Sequence, residues 1–223
     1  MDIRKNWWLF AILLIAVIGT ATLVKNARSS IDLSQVQVFP LFQSAQQIAG
    51  EDPKKGTGQV TIVEFSDYEC PFCGRFFREV EILLEAEYGD KLTFVFKDYP
   101  LDKSCNEKLP RQIHSFACQA SIAAECADEQ GKFWPYHDIL FQNQNQLSDE
   151  KLKEYANVLS LDSVKFNDCL DNKKTLDEVK GDIAQGDSLG VTGTPAIIIG
   201  KQLIVGYYPY EVYKNFVEKA LQG

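Results

Sequence analysis

Two cysteines, Cys70 and Cys73, stand between a predicted strand and a predicted helix, and this placement constrains the fold more than any other feature of the chain. Residues 60–65 are rich in β-branched and aromatic side chains, which favours a strand. Apolar side chains then recur with the spacing of one helix face, at Phe72, Phe76, Val80, Leu83, Leu84 and Tyr88. Cys70 is therefore expected at a helix N-terminus, where free backbone N–H groups and the helix dipole stabilise an anion and lower the pKa of a thiol. This predicts a nucleophilic thiolate at Cys70, with Cys73 as the resolving thiol one turn further along.

A Cys-x-x-Cys pair also occurs in zinc sites and in purely structural disulfides. Zinc needs a second close pair of Cys or His ligands. No such pair is found among the remaining cysteines and histidines, which are Cys105, Cys118, Cys126, Cys169, His114 and His137. We therefore expect no zinc site, and dithiol–disulfide exchange at Cys70 and Cys73 would need neither a metal nor an organic cofactor. Redox chemistry is favoured because strand, motif and helix come in the order it requires, and a structural disulfide is the alternative.

A second motif lies far downstream, where Thr194 and Pro195 precede the apolar residues 196–199. Proline is tolerated at the start of a strand because no ladder donor is needed there, so an ordinary strand-entry proline is one interpretation. Taken together with Cys70 and Cys73, the Gly-Thr-Pro turn resembles the cis-proline loop of the thioredoxin fold. That resemblance implies that Thr194 and Pro195 face the disulfide and bind an extended substrate through the backbone.

Four motifs follow one another in the order found in a single family. They are Thr61-Ile-Val-Glu-Phe-Ser-Asp-Tyr-Glu-Cys-Pro-Phe-Cys73, Phe96-Lys-Asp-Tyr-Pro-Leu101, Gly131-Lys-Phe-Trp-Pro-Tyr-His-Asp138 and Gly190-Val-Thr-Gly-Thr-Pro195. From about residue 58 onward the chain resembles the DsbA-like thiol:disulfide oxidoreductases. The resemblance implies an α/β thioredoxin fold with an inserted helical subdomain, oxidation of exported proteins, and recycling by a quinone-linked membrane partner.

Two further positions bear on the chemistry of the cysteines. The best-known oxidase of the family has histidine where this chain has Phe72, and a neutral ring does not stabilise a thiolate as an imidazolium does. Glu64 precedes Cys70 by six positions, and a lone charged residue in a strand usually faces solvent. Family members, however, carry an acid at this position beneath the disulfide. A partly buried carboxyl with a raised pKa can take the proton of Cys73, and Lys97 is a candidate partner for it.

The order of the predicted elements gives the architecture. Residues 92–96 form the next predicted strand, and about ninety residues separate it from the Gly-Thr-Pro turn, too many for a structureless loop in a compact domain. Helical patterns in this stretch predict an inserted helical subdomain at about 110–190. Residues 197–205 then predict a hairpin that turns at Gly200 and Lys201. Apolar residues between Val212 and Leu221 predict a closing helix.

The four cysteines outside the motif are expected to form two structural disulfides, with buried free thiols as the alternative. Cys118 and Cys126 lie eight residues apart in one predicted helix. That is about 12 Å along the helix axis, beyond the limit of roughly 7 Å for the Cα atoms of bonded cysteines. They should not bond to each other, which leaves two pairings. Because Cys105 precedes this helix, Cys105–Cys118 is favoured, with Cys126–Cys169 by elimination.

The N-terminal part predicts a targeting element and a spacer before the catalytic domain. In residues 1–24, Arg4 and Lys5 precede an uncharged apolar run, 7–24, long enough for a membrane helix. Trp7 and Trp8 resemble interfacial anchors, and a cleaved signal sequence is the alternative. Residues 25–58 are polar and turn-rich and predict a linker, with one short amphipathic piece at about 36–48 as the alternative, and 59–223 is the predicted domain. Six cysteines behind an export signal favour the inner membrane, with the domain in the periplasm or another extracytoplasmic space.

Composition narrows the remaining function classes. The 223-residue chain is long enough for one good core, and its formal net charge of −8 argues against nucleic-acid binding. Copper handling is disfavoured because Met1 is the only methionine, and thioether ligands would be expected. Within redox chemistry, a disulfide reductase or isomerase is the alternative to an oxidant. A non-catalytic thioredoxin-fold binding module is a further alternative.

Overall fold

The computed structural model describes residues 33–223, and its compact unit Gln35–Gly223 is a mixed six-stranded sheet with helices on both faces. The strands are β1 (Val38–Pro40), β2 (Lys54–Lys55), β3 (Val60–Ser66), β4 (Leu92–Asp98), β5 (Ala196–Ile199) and β6 (Gln202–Val205). The helices are α1 (Ala45–Ile48), α2 (Pro71–Phe76), α3 (Ile82–Tyr88), α4 (Ala117–Asp128), α5 (Phe133–Gln142), α6 (Asp149–Val158), α7 (Ser163–Asp171), α8 (Leu176–Leu189) and α9 (Tyr210–Gln222).

The sheet has the strand order β1-β6-β5-β3-β4-β2. The central strand β3 is parallel to β4 and antiparallel to β5, and β5 and β6 form the expected hairpin. Helices α2, α3 and α9 cover one face, where Ile62, Phe76 and Tyr213 are buried in one apolar cluster. Helices α4 to α8 are the predicted insertion; α8 packs against β4, and the insertion shares a second buried cluster with Val63 and Phe65 on the other face. Because β3 is covered on both faces, it is buried along nearly its whole length.

The prediction that residues 25–58 are a plain linker is wrong for their C-terminal part. β1 pairs with β6 and β2 with β4, so both edges of the sheet come from this segment. Between them, α1 starts with a capping box in which the Ser44 side chain and Gln47 satisfy each other's backbone N–H groups. A glycine of this turn-rich segment allows close packing: a Cβ at Gly58 would lie 1.9 Å from the Lys91 carbonyl carbon.

The helix after the cysteines is not the single regular helix that the apolar spacing predicts. A π-helical turn, Phe77–Glu81, separates α2 from α3. The wider turn changes which side chains point at the sheet, so Glu81 is buried while Leu83 is half exposed. Phe72, predicted on the buried face, is also half exposed.

The insertion is tied together by two disulfides. Cys105 is bonded to Cys118 at the start of α4, and Cys126 near the end of α4 is bonded to Cys169 in α7. Within residues 33–223, no helix is long and apolar enough to span a bilayer. The predicted membrane helix or signal sequence in 1–24 lies outside this range and stays a prediction.

Candidate active site

The loop between β3 and α2 presents Cys70 at the helix start. Cys70 is the N-cap residue with extended backbone angles, and Pro71 follows as the first helical residue, where a missing N–H costs nothing. The carboxylate of Asp67 accepts a hydrogen bond from the Cys70 backbone N–H at 3.1 Å. The Cys70 carbonyl accepts from Gly74 N at 3.1 Å, the first bond of the helix. The backbone of Cys70 is therefore held by hydrogen bonds at both its N–H and its carbonyl.

Cys70 and Cys73 are free thiols in this structure, and their environments differ. The pKa of Cys70 is lowered to about 6, chiefly because the Cys73 thiol donates a hydrogen bond to its sulfur. Burial works in the opposite direction, and Thr194 and the Cys73 backbone N–H add to the lowering. The pKa of Cys73 is raised well above its ordinary value, first by complete burial and then by the same hydrogen bond. At neutral pH the pair is thus one thiolate and one thiol, with Cys70 as the nucleophile.

The Gly-Thr-Pro turn lies directly against the nucleophile. The Thr194–Pro195 peptide bond is cis, and the Thr194 carbonyl oxygen lies 3.6 Å from Cys70 Sγ. The Pro195 carbonyl accepts a hydrogen bond from Gly206 N at 2.8 Å, which fixes the loop to the end of β6. The loop and the helix start therefore form the two sides of one cleft at Cys70.

Glu64 is buried in β3 on the face covered by α2, since it shares the alternation of Val60 and Ile62. Burial raises the pKa of Glu64 well above its ordinary value, and the neighbouring Glu81 raises it further. An ionised Glu64 opposes ionisation of Cys73, and a Cys70 thiolate in turn raises the pKa of Glu64. The raised pKa favours the protonated form of Glu64, within electrostatic range of the thiol that must gain and lose a proton.

The expected pairing of Lys97 with Glu64 is wrong. Lys97 Nζ lies 2.9 Å from Asp182 and also contacts Asp52, on the other face of the sheet. This follows from strand alternation, because consecutive residues of β4 point to opposite faces. The lysine on the side of Glu64 is Lys55, which forms ion pairs of 3.0 and 2.9 Å with Glu81 and Glu85.

Asp67 and His114 were not singled out in the sequence. Asp67 is completely buried and accepts four hydrogen bonds, from Glu69 N, Cys70 N, Leu101 N and the His114 ring. The hydrogen bond to Asp67 raises the pKa of His114, and burial acts in the opposite direction. The available signal was an acid three residues before a helix-capping cysteine, a position from which a side chain can cap a loop.

Gln144, also missed, reaches the site from the loop after α5. Its Nε2 donates to the Tyr68 and Cys70 carbonyls at 2.9 and 2.8 Å. Gly74 leaves room for it, since a Cβ there would lie 1.9 Å from Gln144 Oε1. The inserted subdomain is therefore hydrogen-bonded to the backbone of the nucleophile. No sequence signal marks Gln144, because the contact spans 74 positions.

The aromatic residues of the motif 131–138 pack against elements that carry the active site. Trp134, Tyr136 and His137 belong to α5, and the His137 ring lies 5.0 Å from the Phe96 ring and 5.5 Å from that of Phe77. These residues connect α5 to β4 and to the turn after α2, as expected for packing residues.

A buried carboxyl cluster lies on the insertion side of the sheet, formed by Asp98, Glu125 and Asp182. Burial raises the pKa of Asp98 to about 7, of Asp182 to about 8 and of Glu125 to about 10. The charge of Asp98 raises the pKa of the other two further, whereas the hydrogen bond from Glu125 lowers that of Asp98. Among residues 33–223, no group of three or more His, Cys, Asp or Glu side chains is arranged to hold a metal ion. The three carboxyl groups of the cluster, which lie beside Lys97, are thus either protonated or share a proton with one another.

A family model described as thioredoxin matches residues 55–219. The chain belongs to the thioredoxin family. Solved structures show the same fold at low sequence identity. A thioredoxin-like oxidoreductase from Silicibacter pomeroyi has a TM-score of 0.65 and 24% identity, covering 77% of this chain and 92% of that one. BdbD from Bacillus subtilis has a TM-score of 0.65 and 22% identity over 77% and 94% of the two chains. The thiol-disulfide exchange protein α-DsbA2 from Wolbachia pipientis has a TM-score of 0.64 and 22% identity over 78% and 90%.

Curated relatives match this chain over only part of their own length. A protein named Na(+)/H(+) antiporter NhaA 3 from Salinispora tropica is 33% identical over 161 residues, which is 72% of this chain and 23% of the antiporter. An antiporter from Herminiimonas arsenicoxydans is 28% identical over 214 residues, or 96% of this chain and 32% of that protein. The chain thus spans about a quarter to a third of these relatives.

Proposed function

We propose that this thioredoxin-family protein is a thiol:disulfide oxidoreductase that acts on exported proteins, with Cys70 as the nucleophile and Cys73 as the resolving thiol. The observation that carries the proposal is the asymmetry of the pair. Cys70 caps a helix with its pKa lowered to about 6, whereas the pKa of the buried Cys73 is raised. The Thr194 carbonyl, 3.6 Å from Cys70 Sγ, supplies backbone that an extended substrate can pair with.

In the oxidising direction, a substrate thiolate attacks Cys70 Sγ of the Cys70–Cys73 disulfide. The bond between the two cysteines breaks, and Cys73 leaves with the electron pair and takes up a proton. A second substrate thiolate then attacks the substrate sulfur of the mixed disulfide and releases Cys70 as the stabilised thiolate. Two electrons have passed from the substrate dithiol to the enzyme, and the same steps in reverse reduce a substrate disulfide.

Glu64 is the proposed proton carrier for Cys73. Its pKa is raised well above the ordinary value, which favours the protonated carboxyl, and this proton can be donated when Cys73 leaves. Glu64 can accept the proton again when Cys73 attacks a mixed disulfide. No metal or organic cofactor takes part in these steps.

We favour the role of oxidant, with a disulfide reductase or isomerase as the alternative. A Cys70 pKa of about 6 lies between the values of roughly 3.5 and 7 found in strong oxidants and in thioredoxin. Stabilising the thiolate stabilises the reduced enzyme and makes it more oxidising. The reduction potential should therefore lie between about −120 and about −270 mV.

The two disulfides outside the motif support an extracytoplasmic location, because such bonds persist in oxidising compartments. We propose that the apolar run 7–24 attaches the protein to the inner membrane or directs its export. Recycling would be carried out by a membrane redox partner that accepts electrons from reduced Cys70 and Cys73.

The test is a measurement of exchange activity together with the redox equilibrium of the pair. Residues 33–223 should catalyse insulin reduction or oxidation of a reduced, unfolded substrate, and Cys70→Ser should abolish either activity. Equilibration with glutathione should give a potential nearer −180 than −270 mV for an oxidant or isomerase. A value at or below about −270 mV would assign the reductase role. Absence of exchange in both assays would contradict the proposed function itself.

A further inference from the structure

The carboxylate of Asp67 connects the backbone of the nucleophile to a histidine from a distant segment. Its Oδ1 accepts from Glu69 N at 2.7 Å and from Cys70 N at 3.1 Å. Its Oδ2 accepts from Leu101 N at 2.7 Å and lies 2.8 Å from His114 Nδ1. Each oxygen therefore has two partners, one carboxylate oxygen facing Cys70 and the other facing His114.

The charge of Asp67 is unfavourable for a thiolate next to it. Asp67 is completely buried, and it acts to raise the pKa of Cys70 rather than to lower it. Phe72 leaves the motif without an imidazolium that would offset this charge. Among residues 33–223, His114 is the one basic side chain that is hydrogen-bonded to Asp67. It is mostly buried itself, with 15% of its side chain exposed.

The segment that carries His114 is fixed on both sides. The disulfide Cys105–Cys118 closes the loop around it, and His114 N donates to the Leu101 carbonyl at 3.1 Å. Two residues further, Phe116 N donates to the Glu69 carboxylate at 2.7 Å. The His114 ring is therefore held in one orientation toward Asp67. Such a fixed orientation is needed if His114 is to act on Cys70 through Asp67.

We propose that His114, in its protonated form, offsets the charge of Asp67 and so supplies from outside the motif the positive charge that Phe72 cannot. His114 is then a positioning residue that acts on Cys70 through Asp67, and it makes thiolate stability depend on pH in the range where the imidazole titrates. This inference rests on the proposed role of Cys70 as the nucleophile.

The other titratable and charged groups around the histidine are negative or become so. From the loop before α2 these are Asp67, Glu69 and Cys70, all of which raise the pKa of His114. From its own segment, Gln112 connects the His114 carbonyl to Asp102. Cys73 and Glu64 both interact electrostatically with Cys70, and the pKa of each is raised well above its ordinary value. Protonated His114 is therefore surrounded by the charges that it offsets.

Two substitutions separate charge from hydrogen bonding. His114→Asn keeps a neutral donor for Asp67, whereas His114→Lys keeps a cationic donor. We expect His114→Asn to raise the pKa of Cys70 by about one unit, a tenfold change in the dissociation constant. His114→Lys should leave it low. The measurement is the ultraviolet absorbance of the thiolate against pH, with the rate of alkylation at Cys70 as a second readout. A Cys70 pKa unchanged in His114→Asn, or raised equally in both variants, would overturn the proposal.

The redox equilibrium should change in step. At pH 7, a rise of the Cys70 pKa from about 6 to about 7 weakens the stabilisation of the reduced enzyme about fivefold, which lowers the reduction potential by about 20 mV. His114→Lys should stay at the wild-type potential. The two proposals fail separately, because these titrations need no substrate. Wild-type protein without exchange activity would contradict the proposed function, whereas the pKa values alone decide the role of His114.

A reciprocal experiment on the unmodified protein keeps the proposal testable if a variant fails to fold. The chain has two histidines, so the ring resonances of His114 can be assigned and its titration followed by NMR. Linkage requires that the Cys70 thiolate raise the pKa of His114 as much as protonated His114 lowers that of Cys70. His114 should therefore titrate at a higher pH in the reduced than in the oxidised protein. Equal pKa values in the two states would overturn the proposal.

Discussion

Because Gln144 lies close to Gly74, we predict that Gly74→Ala destabilises the wild-type protein but stabilises a Gln144→Ala variant. A Cβ at position 74 would lie 1.9 Å from Gln144 Oε1 and 2.5 Å from its Cδ. Gly74→Ala must therefore push the Gln144 amide away from the carbonyls of Tyr68 and Cys70, which it now reaches at 2.9 and 2.8 Å.

The magnitude follows from two opposing contributions. Losing the two hydrogen bonds costs about 2 kcal/mol in the free energy of unfolding, at about 1 kcal/mol each. Replacing a helical glycine by alanine contributes about 1 kcal/mol in the other direction. Gly74→Ala should thus destabilise the wild-type protein by about 1 kcal/mol. In a Gln144→Ala background, where the bonds are already absent, it should stabilise by about 1 kcal/mol. The coupling energy of the pair is then about 2 kcal/mol.

Urea unfolding of the wild type, the two single variants and the double variant measures this coupling. Gly181→Ala is the matched control, because Gly181 lies inside α8 and a Cβ there would meet nothing within 4 Å. It should stabilise by up to about 1 kcal/mol in both backgrounds. The same effect of Gly74→Ala with and without Gln144 would refute the account of how the insertion holds the active-site loop.

Two further predictions concern the insertion. The disulfides span 43 and 13 positions, so replacing both cysteines of Cys126–Cys169 by alanine should cost about 4 kcal/mol of unfolding free energy, and of Cys105–Cys118 about 3 kcal/mol. Only the second replacement should raise the pKa of Cys70, since that loop carries His114. For the buried carboxyl cluster, the raised pKa values mean that the folded state holds protons more tightly than the unfolded chain. The stability that the cluster contributes is therefore fully present below the ordinary carboxyl pKa of about 4 and is lost as pH rises through about 7, 8 and 10, and Glu125→Gln should flatten this dependence.

Denaturant titrations at several pH values check both sets of variants. For the cluster, Glu129→Gln is the control, because Glu129 is exposed one residue beyond α4 and should leave the pH dependence unchanged. A wild-type stability that rises between pH 6 and 9 would contradict the assignment of protons to the cluster. For the disulfides, equal shifts of the Cys70 pKa in both alanine pairs would argue against a specific effect of the His114 loop.

The four motifs predicted the fold class through their resemblance to one family, and local sequence signals predicted the insertion. The central strands, the hairpin after Pro195 and the closing helix follow from β-branched runs, a glycine turn and helical spacing, all within short windows. The polar, turn-rich composition of the segment before β3 predicts a linker, whereas Gly56 and Gly58 in fact pack against the start of β4. A glycine needed for close approach and a glycine in a linker are the same in the sequence.

Sequence reasoning identified the two thiols but not the residues that hold the active-site loop in place. Asp67, His114 and Gln144 act through contacts that span many positions, and their side chains carry no periodic pattern. The partner of Lys97 was wrong for a related reason: strand alternation gives the face on which a side chain lies, but the acids on that face come from α8 and from the segment before β2. Such partners are fixed by tertiary packing, which one sequence does not display.

The most direct test of the central claim is to trap the reaction halfway. Cys73→Ala removes the resolving thiol and should accumulate mixed disulfides with substrate proteins through Cys70, visible as reductant-sensitive adducts by mass spectrometry. Cys70→Ser should accumulate none, because Cys73 is completely buried and its pKa is raised. Adducts through Cys70 alone are the predicted result. Equal trapping by the two variants, or adducts through Cys73, would contradict the assignment of Cys70 as the nucleophile.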